Sequence, residues 1–261
     1  MKNLIQKAEK LTDFMWRHNH IEDPGRQLTS YMGYEMKHFH DHAPRFKRWY
    51  EEAQGDDDYY EQISEKVEEM FKAELPFTDV MGPIYMALRS KSKGSALGQF
   101  FTPQSVCDLM AQMTISEEAL KKDKAISLSE PCSGSGALLM ASAKTAYKLG
   151  GKEALLKLDI HANDLDPICT GMTSLQFIYN WTINQMPVGR LVTYNGNALT
   201  EPDKLERWIN ITCPTSKYLH AAQHQENSAD EKKSEADNKA ITPSLEQQTP
   251  EPLTNQMFLR L

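Results

Sequence analysis

The chain has 261 residues, 40% hydrophobic and 25% charged, a balance that fits a folded soluble protein and excludes collagen-like, mucin-like and wholly disordered classes. Its 29 basic and 36 acidic residues leave a net charge of −7, so any contact with nucleic acid has to be local. Cys107, Cys132, Cys169 and Cys213 form no Cys-x-x-Cys pair, which argues against a disulfide framework or zinc knuckle and makes a reducing cytoplasm the expected compartment.

From Met1 to about Leu88 the pattern is helical, with Leu4, Leu11, Phe14 and Met15 recurring at three- and four-residue spacing among charges. Met1 to Lys10 is charged throughout and no apolar run approaches the roughly 20 residues that span a bilayer, so neither export nor membrane contact is expected. Asp23-Pro24-Gly25 and Gly55 to Asp58 break the run, and Ile63, Val67, Met70 and Phe71 then share one helical face. Arg89 to Gly98 shifts to Ser, Lys and Gly, as a mobile basic loop would. Pro103 suits the first turn of a helix reaching about Met113.

Short apolar runs then alternate with helical stretches. Strands are expected over Ala125–Leu128, Leu158–Ala162 and Arg190–Tyr194, with helices over Gly136–Leu149 and Pro167–Trp181 between them. This order implies a parallel α/β sheet with crossover helices, and Trp208–Thr212 is a candidate fourth strand. Between Leu219 and Met257 there is no aromatic residue and few large aliphatics, too little apolar surface to offset ordering, so a disordered tail is expected. The expected domains are a helical region over 1–95, an α/β domain over 96–218 and the tail over 219–261.

The most informative segment is LSEPCSGSGALLMAS, Leu128 to Ser142, where a strand ends in an acid, a Gly-containing turn follows and a helix begins. Gly134 and Gly136 let the backbone pass close beneath a ligand, and the helix N-terminus offers free N–H groups and positive dipole character. A P-loop would need Gly-Lys-Ser/Thr where Gly136-Ala137-Leu138 stands, and the dinucleotide fingerprint would need a small residue at Leu139. A second strand ends at Asp164, 28 residues past Gly136, where an acid can accept hydrogen bonds from ribose hydroxyls. Asp166 competes for that role, with the alternative of capping the helix that starts at Pro167.

Taken together, these segments resemble the adenine-N6 DNA methyltransferases, like the modification subunits of type I restriction systems. LGQFFTPQSVCDLMA, Leu97 to Ala111, is similar to the family's first cofactor segment, and EPCSGSGALL is similar to its acidic-Pro-x-x-Gly-Ser-Gly loop. The strand end at Asp164 and YNGNALTEP, Tyr194 to Pro202, follow in the family's order. The resemblance implies a partial Rossmann-like α/β sheet that binds S-adenosylmethionine. Phe101 and Thr102 would contact that cofactor, Glu130, Cys132, Ser133, Gly134, Ser135 and Gly136 its methionine end, Asp164 its ribose and Asn197 its adenine. It also implies DNA as substrate and a specificity or complementing methyltransferase subunit as partner.

The family's catalytic Asn/Asp/Ser-Pro-Pro-aromatic tetrad would stand about 15 to 25 residues after the last of these segments. No Pro-Pro pair occurs anywhere in the chain, and the nearest remnant is Thr212-Cys213-Pro214-Thr215. Thr215 has no ring to stack on a flipped base and Cys213 does not replace a proline. The second half of the family's sheet has no counterpart in this sequence. That leaves a truncated product, half of a split enzyme, or a non-catalytic scaffold as expectations, with an exposed sheet edge in each case.

Arg89, Lys91 and Lys93 precede the cofactor segment and are the basic residues best placed to meet DNA phosphates. Arg45 to Tyr50 mixes cations with aromatics, as nucleic-acid surfaces and amphipathic helix ends both do. His38, His40 and His42 are spaced by two, which no helix face presents, so no metal site is expected there. Met32, Met36, Met81 and Met86 read as core filler.

Overall fold

A computed structural model describes residues 2–18, 24–39, 43–53, 57–91 and 101–219. Of the loop expected over Arg89–Gly98, residues 89–91 instead belong to a helix, and 92–98, with Lys93, lie outside these residues, as do His40, His42 and the tail from residue 220 onward.

Five helices precede the sheet: α1 (Lys2–His18), α2 (Pro24–Glu35), α3 (Pro44–Glu51), α4 (Asp57–Ala73) and α5 (Met81–Lys91). Each buries the stripe its periodicity marks. In α1 this is Leu4, Ala8, Leu11 and Met15, and in α4 it is Tyr59, Tyr60, Ile63, Val67, Met70 and Phe71. The cations and aromatics of 45–50 resolve into the two sides of α3. Phe46 and Trp49 are buried, whereas Arg48 pairs with Glu52 at 2.7 Å on the exposed side. The segment is thus an amphipathic helix with its cations on the exposed side.

Two helices, α6 (Gln104–Thr114) and the short α7 (Glu117–Lys121), lead into β1 (Ile126–Glu130). The chain continues through α8 (Ala137–Leu156), β2 (Leu158–Asp164), α9 (Pro167–Thr182), β3 (Arg190–Asn195) and β4 (Glu206–Thr212). Helix α8 outlasts the expected end at Leu149 because Gly151 (φ 64°, ψ −156°) kinks it and a further turn buries Ala154 and Leu155. The sheet order is β1-β2-β3-β4, with β1, β2 and β3 parallel. The fourth strand is antiparallel to β3. Only residues 196–205 separate the two, fewer than the dozen or so that a parallel crossover requires, so the chain turns straight back.

Both α8 and α9 pack on one face of the sheet, against Leu158, Ile160, Ala162 and Leu191. A bulge in β4 lies opposite Thr193 and Tyr194 and makes Trp208 the extra residue. Trp208 meets Phe46 and Trp49 edge-on, each with ring centroids 5.4 Å apart. Residues 1–218 form one compact unit, and the buried side chains of α1 to α5 belong to the same apolar cluster as those of the sheet. On the opposite face Ser127, Ser129, His161, Asn163 and Tyr194 line an open cleft of about 320 Å³. Among the described residues β1 is an edge strand.

Candidate functional site

The parallel strands β1, β2 and β3 end side by side, and the turn after β1 rises beside the end of β2. Gly134 (φ 57°) and Gly136 (φ 92°) both take the left-handed conformation that glycine adopts at least cost. Close packing adds a second constraint. A Cβ at 134 would stand 3.1 Å from the Phe101 ring, and one at 136 would stand 3.0 Å from the Thr173 Oγ1. Gly136 is the N-cap of α8, and no side chain caps that terminus, so its first N–H groups face the turn.

Asp164 ends β2 with both carboxylate oxygens engaged. The Gly134 N–H donates to Oδ2 at 2.8 Å and the Asp166 N–H donates to Oδ1 at 2.9 Å. Burial pushes its pKa above the ordinary 3.8, while the two backbone donors oppose the shift. Each carboxylate oxygen has a second lone-pair direction, so Asp164 retains acceptor capacity for a ligand hydroxyl. Asp166 takes the capping alternative, its side chain accepting from the Ile168 N–H at 2.9 Å at the start of α9.

Other expected residues converge on the same place. Phe101 packs over Gly134 and lies 5.5 Å, centroid to centroid, from Tyr85 of α5. The guanidinium of Arg89 sits 5.6 Å from the centre of that Tyr85 ring, which brings this basic residue toward the turn. Lys91 is the last residue of α5. Thr102 is exposed at the start of α6, and Glu130 accepts from the Cys132 N–H at 3.1 Å. The Ser133 N–H donates to the Asn163 carbonyl at 2.8 Å. Asn197 stands just past β3, its Oδ1 accepting from the Leu199 and Thr200 N–H groups at 3.1 Å each.

The remnant Thr212-Cys213-Pro214-Thr215 is not brought to this place. Thr212 pairs with Arg190, the first residue of β3, whereas the turn lies beside the last residues of β2 and β3. Five strand steps of about 3.3 Å put the remnant roughly 17 Å away along the sheet. Cys213 is buried and its N–H donates to the Gly189 carbonyl at 2.8 Å. Among the described residues no group of three or more His, Cys, Asp or Glu side chains could hold a metal ion.

The structure also shows residues that local patterns do not mark. Helix α9 turns Thr173, Gln176 and Asn180 toward the turn and toward the loop before α5, and all three are fully buried. Thr173 Oγ1 donates to the Gly134 carbonyl at 3.2 Å, and Gln176 Nε2 donates to the Ser135 carbonyl at 2.6 Å. Asp79 accepts from the Ser135 hydroxyl at 2.7 Å. Asn195 Nδ2 donates to the Asp164 carbonyl at 2.8 Å and ties the ends of β2 and β3. The one available signal was the spacing of Thr170, Thr173, Gln176 and Asn180, polar residues on one side of an otherwise apolar helix.

Residues 76–245, well over half of the chain, match the model of the N-6 DNA methylase family. No curated protein matches the chain significantly. Two solved structures are similar. One, from Listeria monocytogenes and described as a class I S-adenosylmethionine-dependent methyltransferase, is 15% identical over 68% of this chain and 49% of its own, with a TM-score of 0.39. The other, a type I restriction-modification system methyltransferase subunit from Streptococcus thermophilus, is 13% identical over 77% of this chain and 59% of its own, with a TM-score of 0.40. The chain thus spans about half to three fifths of the length of these proteins.

Proposed function

We propose, from the premise that this chain belongs to the N-6 DNA methylase family, that it holds S-adenosylmethionine for transfer of a methyl group to the N6 amine of adenine in DNA. The observation that carries this reading is the convergence of Phe101, the Gly134–Gly136 turn and the Asp164 carboxylate on the uncapped N-terminus of α8. Neither glycine leaves room for a side chain, because Phe101 packs against Gly134 and Thr173 against Gly136.

In this reading the N–H groups that open α8 receive the carboxylate of the methionine end, and the turn from Cys132 to Gly136, whose N–H groups at 132, 133, 134 and 136 already have partners, borders it. Asp164 accepts from the ribose hydroxyls, Asn197 borders the adenine, and Phe101 and Thr102 close one side. When bound, S-adenosylmethionine supplies an electrophilic methyl group on a sulfonium, which passes to the amine directly. The chain contributes alignment and exclusion of water. Arg89 and Lys91, with Lys93, meet phosphates of the DNA. The activity belongs in the cytoplasm, and among the described residues no helix is long and apolar enough to cross a membrane.

A partner belongs to the proposal. The groups that align the target amine, a side-chain amide or carboxylate with a Pro-Pro-aromatic sequence, are absent from these 261 residues. We assign them to a complementing polypeptide, and the edge position of β1 among the described residues supports that assignment. A second reading, a cofactor-fold scaffold that transfers no methyl group, draws on the place of the Thr212–Thr215 remnant at the far end of the sheet.

Calorimetric titration of the purified chain with S-adenosylmethionine tests the cofactor site. Binding at about micromolar Kd is expected, with loss in Asp164→Ala and in Gly134→Leu. A folded chain that binds nothing overturns the assignment. Methylation of adenine-containing DNA only after addition of a complementing subunit separates the first reading from the scaffold.

A further inference from the structure

We infer that Asp79 is the positioning residue of the cofactor turn, holding Ser135 in place from the loop ahead of α5. The inference concerns the shape of the turn in the ligand-free chain, and its consequence for affinity rests on the reading of that turn as the S-adenosylmethionine site.

Asp79 stands among donors. Its Oδ1 accepts from the Gly82 N–H at 2.8 Å and from Gln176 Nε2 at 2.9 Å, and its Oδ2 accepts from the Ser135 hydroxyl at 2.7 Å. Two of these partners, the Gly82 N–H and the Gln176 amide, can only donate, so a side-chain oxygen must face them, while the Ser135 hydroxyl pairs with the second terminal atom of the same group. The loop that carries it is itself fixed. The Phe77 N–H donates to Asn180 Oδ1 at 2.7 Å, and the Val80 and Met81 N–H groups donate to Gln176 Oε1 at 2.8 and 3.3 Å. Gln176 closes the circuit by donating to the Ser135 carbonyl at 2.6 Å.

Ser135 is therefore held at both its hydroxyl and its carbonyl, and it sits between the two left-handed glycines. A turn with two such glycines has wide conformational freedom unless something else removes it. Asp164, Thr173 and Gln176 hold the backbone of the turn, and the hold on the Ser135 side chain comes from 56 residues earlier in the chain. The helical region ahead of the sheet thereby sets the position of the amides that open α8.

The test uses the full chain and two readouts, hydrogen–deuterium exchange without ligand and titration with S-adenosylmethionine. Asp79→Ala and Ser135→Ala are each expected to accelerate exchange at amides 133–137 by about tenfold or more, with α4 unchanged, as loss of a buried charge-assisted bond implies. Each is expected to weaken cofactor binding by about tenfold, and the double variant binds no worse than the weaker single, because both remove one link. Asp79→Asn restores both readouts to within about threefold, since its carboxamide oxygen keeps Gly82 and Gln176 while the Ser135 hydroxyl turns to accept.

Unchanged exchange in the turn, acceleration spread over the whole chain, or additive losses in the double variant overturn the inference. Should Asp79→Ala fail to fold, Ser135→Ala leaves Gly82 and Gln176 their acceptor and carries the same expectation. A wild-type chain that binds no cofactor overturns the proposed function, and the exchange data then decide on Asp79 alone.

Discussion

The packing of α3 against β4 and the seam between α9 and the cofactor turn are built from opposite materials. The first joins Phe46, Trp49 and Trp208 through ring edges and faces, and the Trp208 indole N–H is buried there. The second joins Asp79, Ser135, Thr173, Gln176 and Asn180 through hydrogen bonds between 2.6 and 3.2 Å. Apolar contacts are non-directional, so the first region sets how firmly the layers adhere. Hydrogen bonds carry distance and angle, so the second sets where the backbone stands. The difference explains why a flexible glycine turn can keep one shape beside a core that would tolerate several packings.

The largest expected effect lies in the apolar region. Trp49→Ala should cost about 3–5 kcal/mol of unfolding free energy in a urea titration, because it removes one of the two indoles of that cluster. Binding of S-adenosylmethionine by the fraction that remains folded should be unchanged, and a matching loss of affinity would erase the contrast between the two regions.

Next comes Gln176→Leu, which keeps the volume and deletes the hydrogen bonds. The Val80 and Met81 N–H groups, the Asp79 carboxylate and the Ser135 carbonyl would each lose a partner. About 2–4 kcal/mol of destabilisation is expected, with faster exchange at amides 133–137 before any global unfolding. A variant as stable as wild type would show that the seam does not set the turn.

A pH series sharpens the comparison. Burial pushes the Asp79 carboxyl above its ordinary value of 3.8, against the pull of its three donors. The native state therefore holds that proton more tightly than the unfolded chain, and this contribution to stability is full below 3.8 and is lost as pH rises through the raised value. Asp79→Asn lacks the titration, so its stability relative to wild type should improve as pH rises over that window. A difference independent of pH would place the carboxyl at its ordinary value. The smallest effect belongs to Arg48→Ala. Its pair with Glu52 spans one exposed helix turn, and the loss should stay below about 0.5 kcal/mol.

The elements themselves were legible along the chain. Three- and four-residue periodicity marks α1 and α4, and short apolar runs between helical stretches mark β1, β2 and β3. The glycine turn was legible for the same reason, because Gly134 and Gly136 lie within one strand-turn-helix unit whose geometry is local. Three things were not. The direction of β4 followed from the shortness of residues 196–205 and not from its composition. The end of α8 was masked because a kinked helix resumes after Gly151.

Asp79 and Gln176 were the deepest omission. Nothing near either residue in the chain distinguishes a solvated polar side chain from a buried one. They acquire their partners only when the loop before α5, the turn after β1 and α9 are packed together across 41 to 97 residues of sequence. Local backbone preference decides what each segment becomes. Which polar groups must satisfy one another is decided by which segments exclude water between them, and that is a property of the tertiary structure.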